Sequence, residues 1–240
     1  MAEKGTVPLS IVVPVLREDP ARVARLAERV LAQEPDVELV VVDADPDGGS
    51  LADLEPDPRL RTLTLPPGAP PGRARQMNAG AAAAGEVLLF LHADTRLPQG
   101  GVGAVRGVLA LGLARAGAFD LAFDSPLPAL RLVASGARLR SRIERLPYGD
   151  QCHFIPRELF EELGGYPDTP IMEDVEFMRA LRRRGEPIVI LPERAVTSAR
   201  RYEAQGVARC VLGNLALRVR HALGADPGAL ARSYARGDAP

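Results

Sequence analysis

Glu86-Val87-Leu88-Leu89-Phe90-Leu91-His92-Ala93-Asp94 is the stretch on which the fold turns. Val87 to Leu91 is an unbroken apolar run, shorter than a helix needs and bounded by Gly85 and by polar residues. Such a run reads as a strand covered on both faces, as in a parallel sheet. It leads into a carboxylate, Asp94. In open parallel sheets, ligands bind outside the carboxyl ends of the strands. Asp94 therefore stands where a site residue is expected.

Toward the N-terminus the pattern repeats. Leu9-Ser10-Ile11-Val12-Val13 and Val37-Glu38-Leu39-Val40-Val41-Val42 are two further short apolar runs. Between them, Val23, Leu26, Ala27, Val30 and Leu31 recur at helical spacing in Pro20 to Glu34, with Pro20 and Pro35 at the boundaries. Gly72 to Gly85 reads as a glycine-capped helix, and Leu60 to Leu65 as another short strand. Alternating strands and helices predict an α/β sheet with right-handed crossovers. Each of the first two main runs also ends in acids. Glu18 and Asp19 follow Pro14 and Arg17; Asp43, Asp45 and Asp47 precede Gly48-Gly49-Ser50. One such acid is an ordinary turn residue. Three strand ends carrying acids on one sheet edge form a pattern.

Toward the C-terminus the text is less regular. Helices are expected over 127–146, Glu158 to Leu163, Asp174 to Arg184 and Gly206 to Leu223, with a short strand at Ile188 to Leu191. Gly164-Gly165 and Gly185 suit helix ends. Pro66 to Pro71 is a loop within the domain. The expected organisation is one domain over 1–240. Its expected parts are a first half over 8–100, a second half over 101–225, and a flexible tail over 226–240 that frays.

The bulk numbers narrow the function. A formal net charge of -1 argues against a general nucleic-acid partner, because phosphate backbones select basic surfaces. Cys152 and Cys210 make no disulfide framework, and His92, His153 and His221 are too scattered for a zinc site. The start of the chain lacks the apolar stretch of a signal peptide. Val102 to Phe119, the mildest candidate for a membrane span, is interrupted by Arg106 and Arg115. A cytoplasmic protein is expected, peripheral at the inner membrane face if it meets membrane at all. In 127–146, Leu132, Leu139, Ile143 and Leu146 form an apolar stripe beside Arg131, Arg138, Arg142 and Arg145. Three uses fit: a core-covering helix with a solvated edge, contact with a membrane surface or anionic acceptor, or a homodimer contact.

The ordered set of motifs resembles inverting family-two glycosyltransferases of the GT-A type. Ser10-Ile-Val-Val-Pro-Val-Leu-Arg-Glu18 is similar to their opening strand, and Val40-Val-Val-Asp43 with Asp47-Gly48-Gly49-Ser50 to their second strand and acidic turn. Arg73-Ala-Arg75-Gln-Met-Asn78-Ala-Gly80 resembles the helix before their metal strand, and Leu89-Phe-Leu-His-Ala-Asp94 that strand itself. Gly164-Gly165-Tyr166-Pro167, Met172-Glu173-Asp174-Val175-Glu176-Phe177 and Arg179, Leu181 and Gly185 resemble their catalytic segment. His92-Ala-Asp-Thr95, Tyr148-Gly-Asp-Gln151 and Thr197-Ser-Ala-Arg-Arg201 resemble a bacterial subgroup associated with arsenosugar biosynthesis.

The resemblance implies a Rossmann-like, mostly parallel mixed sheet flanked by helices. It also implies a UDP-linked sugar donor and a small-molecule or lipid-linked hydroxyl acceptor. Asp94 would hold Mg²⁺ or Mn²⁺ against the diphosphate, which suits a hard cation's preference for oxygen. His92 stands where relatives carry a second acid, as ligand, neighbour or packed imidazole. Pro14, Glu18, Asp43 and Ala93 would contact the nucleotide sugar, with Asp43 on the uracil. Arg73, Arg75 and Asn78 would meet phosphate at a helix start. Arg200 and Arg201 would close over the diphosphate. Tyr148, Asp150 and Gln151 would lie near the acceptor. Asp174, with Glu173 second, would be the general base; both acids also suit a helix N-terminus. Two other readings compete: a nucleotidyltransferase, which Pro14-Val-Leu-Arg-Glu18 disfavours by lacking a glycine-rich loop, and a non-catalytic nucleotide-sugar binding module, which the acid at Asp174 disfavours.

Overall fold

The computed structural model describes residues 8–70 and 72–235. One eight-stranded sheet runs through the molecule in the order β3-β2-β1-β4-β7-β6-β8-β5. The first half supplies β1 (Leu9–Val15), β2 (Val37–Asp43), β3 (Leu60–Thr64) and β4 (Val87–Phe90), all mutually parallel. Their crossovers are α1 (Pro20–Gln33) and α2 (Arg73–Ala82). Asp19 caps α1 by accepting the Ala21 N–H at 3.1 Å.

The second half supplies β5 (Thr95–Arg96), α3 (Gly101–Ala110), β6 (Ala116–Phe123), α4 (Pro128–Glu144), β7 (Phe154–Pro156) and α5 (Arg157–Glu162). It continues with α6 (Glu173–Arg183), β8 (Ile188–Thr197), α7 (Arg200–Gln205), α8 (Val207–Ala222) and α9 (Pro227–Ala235). β7 runs antiparallel to both β4 and β6, and β6 parallel to β8. β5 pairs antiparallel with β8 at the edge.

Strand alternation divides the core. Ile11, Val13, Leu39, Val41 and Leu89 face the layer of α1 and α3, where they meet Val23, Leu26, Val30, Val102 and Val105. Val12, Val40, Val42, Leu88 and Phe90 face Met77, Phe160, Tyr166 and Phe177 on the other side. Full burial of each such side chain is worth about 1.5–3 kcal/mol. Two glycines let the layers close. A Cβ at Gly80 would stand 2.4 Å from Val12 Cγ1, so α2 reaches the sheet only without one. A Cβ at Gly117 would stand 2.4 Å from the Val189 carbonyl oxygen and 2.5 Å from Phe154 Cζ, which fixes how tightly β6 is squeezed.

Two expectations are corrected. The strand expected at Ile188 to Leu191 runs on to Thr197, because β6 pairs with it across a register shift after Phe119. Val102 to Phe119, set aside above as a membrane span, divides around Gly112, whose φ is 64°, into α3 and β6. The tail expected to fray from 226 forms α9, pinned by a fully buried Leu230; residues 236–240 lie outside the described part. Among the described residues, no helix is long and apolar enough to cross a membrane.

Candidate active site

A cleft of about 730 Å³ opens at the carboxyl ends of β1 and β4. From the first half it is lined by Pro14, Glu18, Arg73, His92, Ala93 and Asp94. From the second half come Tyr148, Asp150, Glu173, Asp174 and Arg201. Eleven of the sequence-selected residues thus meet in one cavity.

Asp94 sits in the turn between β4 and β5. The turn is tied to β8, since Ser198 N–H donates to the Asp94 carbonyl oxygen at 3.1 Å and the Thr95 and Thr197 hydroxyls are 3.0 Å apart. The Asp94 carboxylate stays partly exposed, with Arg200 Nη2 at 3.9 Å. Arg73, in the first turn of α2, reaches across to Glu173 at 3.6 Å and keeps 49% of its side chain accessible. Burial works against the Arg73 charge, but Glu173, Asp174, Tyr234 and Asp94 together outweigh it and raise its pKa. Burial raises Glu173 above the usual carboxylate range; Arg73 opposes this and Asp174 adds to it.

Glu173 and Asp174 open α6. The residue before them, Met172, holds φ 64°, a left-handed conformation that non-glycine residues rarely adopt. That turn aims the first turn of α6 at the cleft. Asp174 Oδ2 accepts the Gly149 N–H at 2.7 Å and Oδ1 the Val175 N–H at 2.8 Å. Gly149 has no room for a side chain: a Cβ would lie 2.8 Å from His92 Nε2 and 3.4 Å from Asp174 Oδ2. Burial, then Arg73 and His153, push His92 well below its usual pKa, so the imidazole is neutral at physiological pH. It packs on Gly149, in the place where a second acid would stand.

Two buried polar atoms in the cleft have no protein partner: Tyr148 Oη and Asp150 Oδ1. Buried polar groups normally pair, so both are disposed toward a ligand. The Tyr148 ring lies under the Arg140 guanidinium at 3.8 Å. Burial and then the neighbouring Asp174 push Asp150 up to about 6.

Five expected residues take other positions. Asp43 is fully buried and spends both carboxylate oxygens on its own turn, accepting Asp45 N–H at 2.9 Å and Ser50 N–H at 3.1 Å. Arg75 points away to Asp168, 2.6 Å distant, and to the Pro70 carbonyl. Asn78 clamps Tyr166 by its backbone, donating to the carbonyl at 2.8 Å and accepting the N–H at 2.9 Å. Gln151 is buried and donates to the Phe119 carbonyl at 2.9 Å. Arg200 sits at the rim, where Asp94 is its partner. Conversely, the cleft recruits residues not singled out from sequence: Gln76, Phe123, Asn214, Arg218 and Tyr234. Tyr234 stacks under Arg201 at 3.8 Å, so α9 forms part of the wall. Nothing local marks these residues; only their long-range placement does.

Among the described residues, no group of three or more His, Cys, Asp or Glu side chains could cage a metal ion. One accessible carboxylate, Asp94, still fits a hard cation that arrives with a diphosphate, because Mg²⁺-type ions commonly take one or two carboxylates and complete their shell with phosphate and water.

The strand order, the carboxyl-end cleft and its opposed acids and arginines define a GT-A glycosyltransferase fold. Residues 10–105 match the family model described as Glycosyl transferase family 2. No curated protein matches the chain. Among solved structures, it is similar to the mannosyltransferase PcManGT from Pyrobaculum calidifontis in complex with GDP-Man and Mn²⁺, with 17% identity and a TM-score of 0.63. The similarity covers 90% of this chain and 63% of that one. The structural likeness shows the fold, and the family match lies within residues 10–105, the half that carries β1 to β4 and Asp94.

Proposed function

We propose that this chain transfers a glycosyl group from a nucleoside-diphosphate sugar to a hydroxyl acceptor, with inversion at the anomeric carbon. The observation that carries the reading is the placement of Asp174 across one cleft from Asp94 and Arg73. The first half supplies one guanidinium, Arg73, and a strand-end acid, Asp94, suited to a diphosphate. The second supplies one carboxylate held by two backbone N–H groups.

In the proposed step Asp174 accepts the acceptor hydroxyl proton as that oxygen bonds to the anomeric carbon. The bond from that carbon to the phosphate oxygen breaks, and the nucleoside diphosphate leaves. A positioned base of this kind contributes about 10²–10⁴-fold. Arg73 and Arg201 would orient the diphosphate, as guanidinium forks suit phosphate oxygens. A divalent ion, Mg²⁺ or Mn²⁺, held at Asp94 would neutralise charge on the leaving group. His92, neutral and packed, is left to shape the site. Tyr148 and Asp150 would meet the acceptor. Pro14, Glu18 and Ala93 would line the donor subsite. Asp43 enters as a positioning residue for the acidic turn, which weakens the case for a uracil read by its side chain. The mannosyltransferase with GDP-Man makes a guanine-linked donor the natural alternative to UDP.

The test is a panel of UDP- and GDP-linked sugars assayed with and without Mn²⁺, reading nucleotide release and product anomeric configuration by NMR. The expected result is turnover of at least one donor with inversion, reduced about 10²-fold or more in Asp174→Asn. Binding without turnover in the wild type would convert the chain to a sugar-nucleotide binding module. Pyrophosphate release from a nucleoside triphosphate would make it a nucleotidyltransferase.

A further inference from the structure

Two helices leave apolar side chains in solvent. On α4, Leu132, Leu139 and Ile143 are 76%, 62% and 72% exposed. Its buried residues are Leu130, Ala134 and Ser141. At about 100° per residue the exposed stripe lies about 180° from the buried one, so it points straight away from the sheet. α8 repeats the arrangement: Leu212, Leu215, Val219 and Leu223 share one exposed face, while Cys210 and Gly213 are buried. Scattered exposed leucines are ordinary, but two adjoining stripes are not.

The helices are neighbours. Arg218 of α8 pairs with Glu144 of α4 at 2.9 Å. A groove of about 210 Å³ runs beside α8 where α4 ends, with Leu215 and Val219 on one wall and Leu146, Met172 and Val175 on the other. The groove and the active-site cleft share Tyr148, Met172 and Arg218 as a common wall.

Charge completes the picture. Arg131 and Arg138 flank the α4 stripe on the side away from α8, where Arg142 is already held by the Asp120 carboxylate, and Arg209 and Arg220 flank the α8 stripe on its far side. The only acid within the two helices is Glu144, already paired with Arg218. The chain as a whole carries a formal net charge of -1, so this basic bias is local.

We infer that α4 and α8 together form a docking face for an anionic lipid surface, lying in its plane with the two apolar stripes inserted and the arginine rims on the headgroups. An apolar centre bordered by arginines is what an interfacial helix pair needs. A protein partner would have to match two basic rims about one apolar strip. A lipid leaflet matches them without further shape. The face also sets one wall of the cleft next to the membrane, through the shared Tyr148, Met172 and Arg218, where a lipid-linked hydroxyl could enter. The docking itself does not depend on the proposed sugar transfer.

The test is co-sedimentation of the full chain with vesicles of phosphatidylcholine alone and of phosphatidylcholine with phosphatidylglycerol. The expected result is pelleting with the anionic vesicles only, weakened about tenfold or more by raised salt, by Leu139→Ser with Ile143→Ser, and by Arg131→Glu with Arg138→Glu. None of the four side chains is buried, so an unchanged thermal midpoint certifies each variant's fold. Leu212→Ser with Leu223→Ser on α8 is expected to weaken binding in the same way. The inference is overturned if the wild type stays in the supernatant with both vesicle types. It is equally overturned if light scattering finds a dimer that the serine variants dissolve. Nucleotide-sugar binding, measured on the same samples, is expected to be unaffected, so failure of docking is distinguishable from failure of the proposed activity.

Discussion

The sheet from β3 to β4 and the sheet from β7 to β5 contribute to the cleft in different ways. In the first region, parallel strands buried on both faces end together, and Pro14, Glu18 and Asp94 reach the site because their strands stop there. In the second, no strand end does this work alone. Gly149 sits in a single helical turn, and Asp174 lies two residues after Met172, held at φ 64°. The contrast teaches that the residues proposed for the donor side are placed by topology, whereas the proposed base, Asp174, is placed by two tight local turns packed on each other. The second region should therefore be the easier one to disable without unfolding the protein.

The largest effect is expected at Gly149→Ala. The added Cβ must displace His92 or the backbone that holds Asp174 Oδ2. A displacement of about 1 Å at a reacting group costs about 10²-fold, so turnover should drop by that factor while donor affinity changes little. If both fall together, the two regions are not separable in this way.

Gly117→Ala asks the opposite question, because Gly117 touches no cleft residue. Its Cβ would meet the Val189 carbonyl and the Phe154 ring. A backbone clash of this kind is expected to cost about 3 kcal/mol, at the upper end for overpacking. Urea denaturation would show it. A variant as stable as wild type would mean that β6 relaxes more freely than its position between β7 and β8 implies.

Asp150→Asn sharpens the electrostatics of the second region. Asp150 is pushed up to about 6, first by burial and then by Asp174. A raised carboxyl pKa means the folded state binds the proton more tightly than the unfolded chain. That contribution is fully present below the unfolded value near 4 and is lost as pH rises through about 6. The loss is on the order of 1–3 kcal/mol. Asparagine carries no such charge. Its thermal midpoint, measured against wild type, should therefore improve between pH 4 and pH 8. A constant difference across that range would refute the assignment.

The smallest effect is expected at Arg75→Ala in the first region. Its partner Asp168 is largely exposed. Pairs of that kind are worth about 0–1 kcal/mol, so stability and donor affinity should scarcely move. A large loss of affinity would return Arg75 to the cleft.

This asymmetry also explains what could be read from the sequence. β1, β2, β4 and α1 were legible because burial on both faces leaves only short apolar runs, and a helix with one buried side leaves its spacing. β6 was not legible. Ala116-Gly117-Ala118 is small and weakly patterned because two neighbouring strands crowd it, and that crowding appears only in three dimensions. From sequence, α9 reads as a tail because nothing local shows that Leu230 finds a pocket. Within the site, residue type was legible but side-chain direction was not. Asp43, Asn78 and Gln151 stand near their expected places yet turn inward to satisfy buried backbone groups. Asp94, Arg73 and Asp174 turn into the cleft.

The most direct test of the division between the halves is paired calorimetry and turnover on Arg73→Ala and Asp174→Asn with one active nucleotide sugar. Arg73→Ala should weaken donor binding by roughly 10–100-fold, the worth of a charged hydrogen bond. Asp174→Asn should bind the donor as wild type does and turn over about 10²–10⁴-fold more slowly. Near-normal turnover in Asp174→Asn, or undiminished donor binding in Arg73→Ala, would contradict the account.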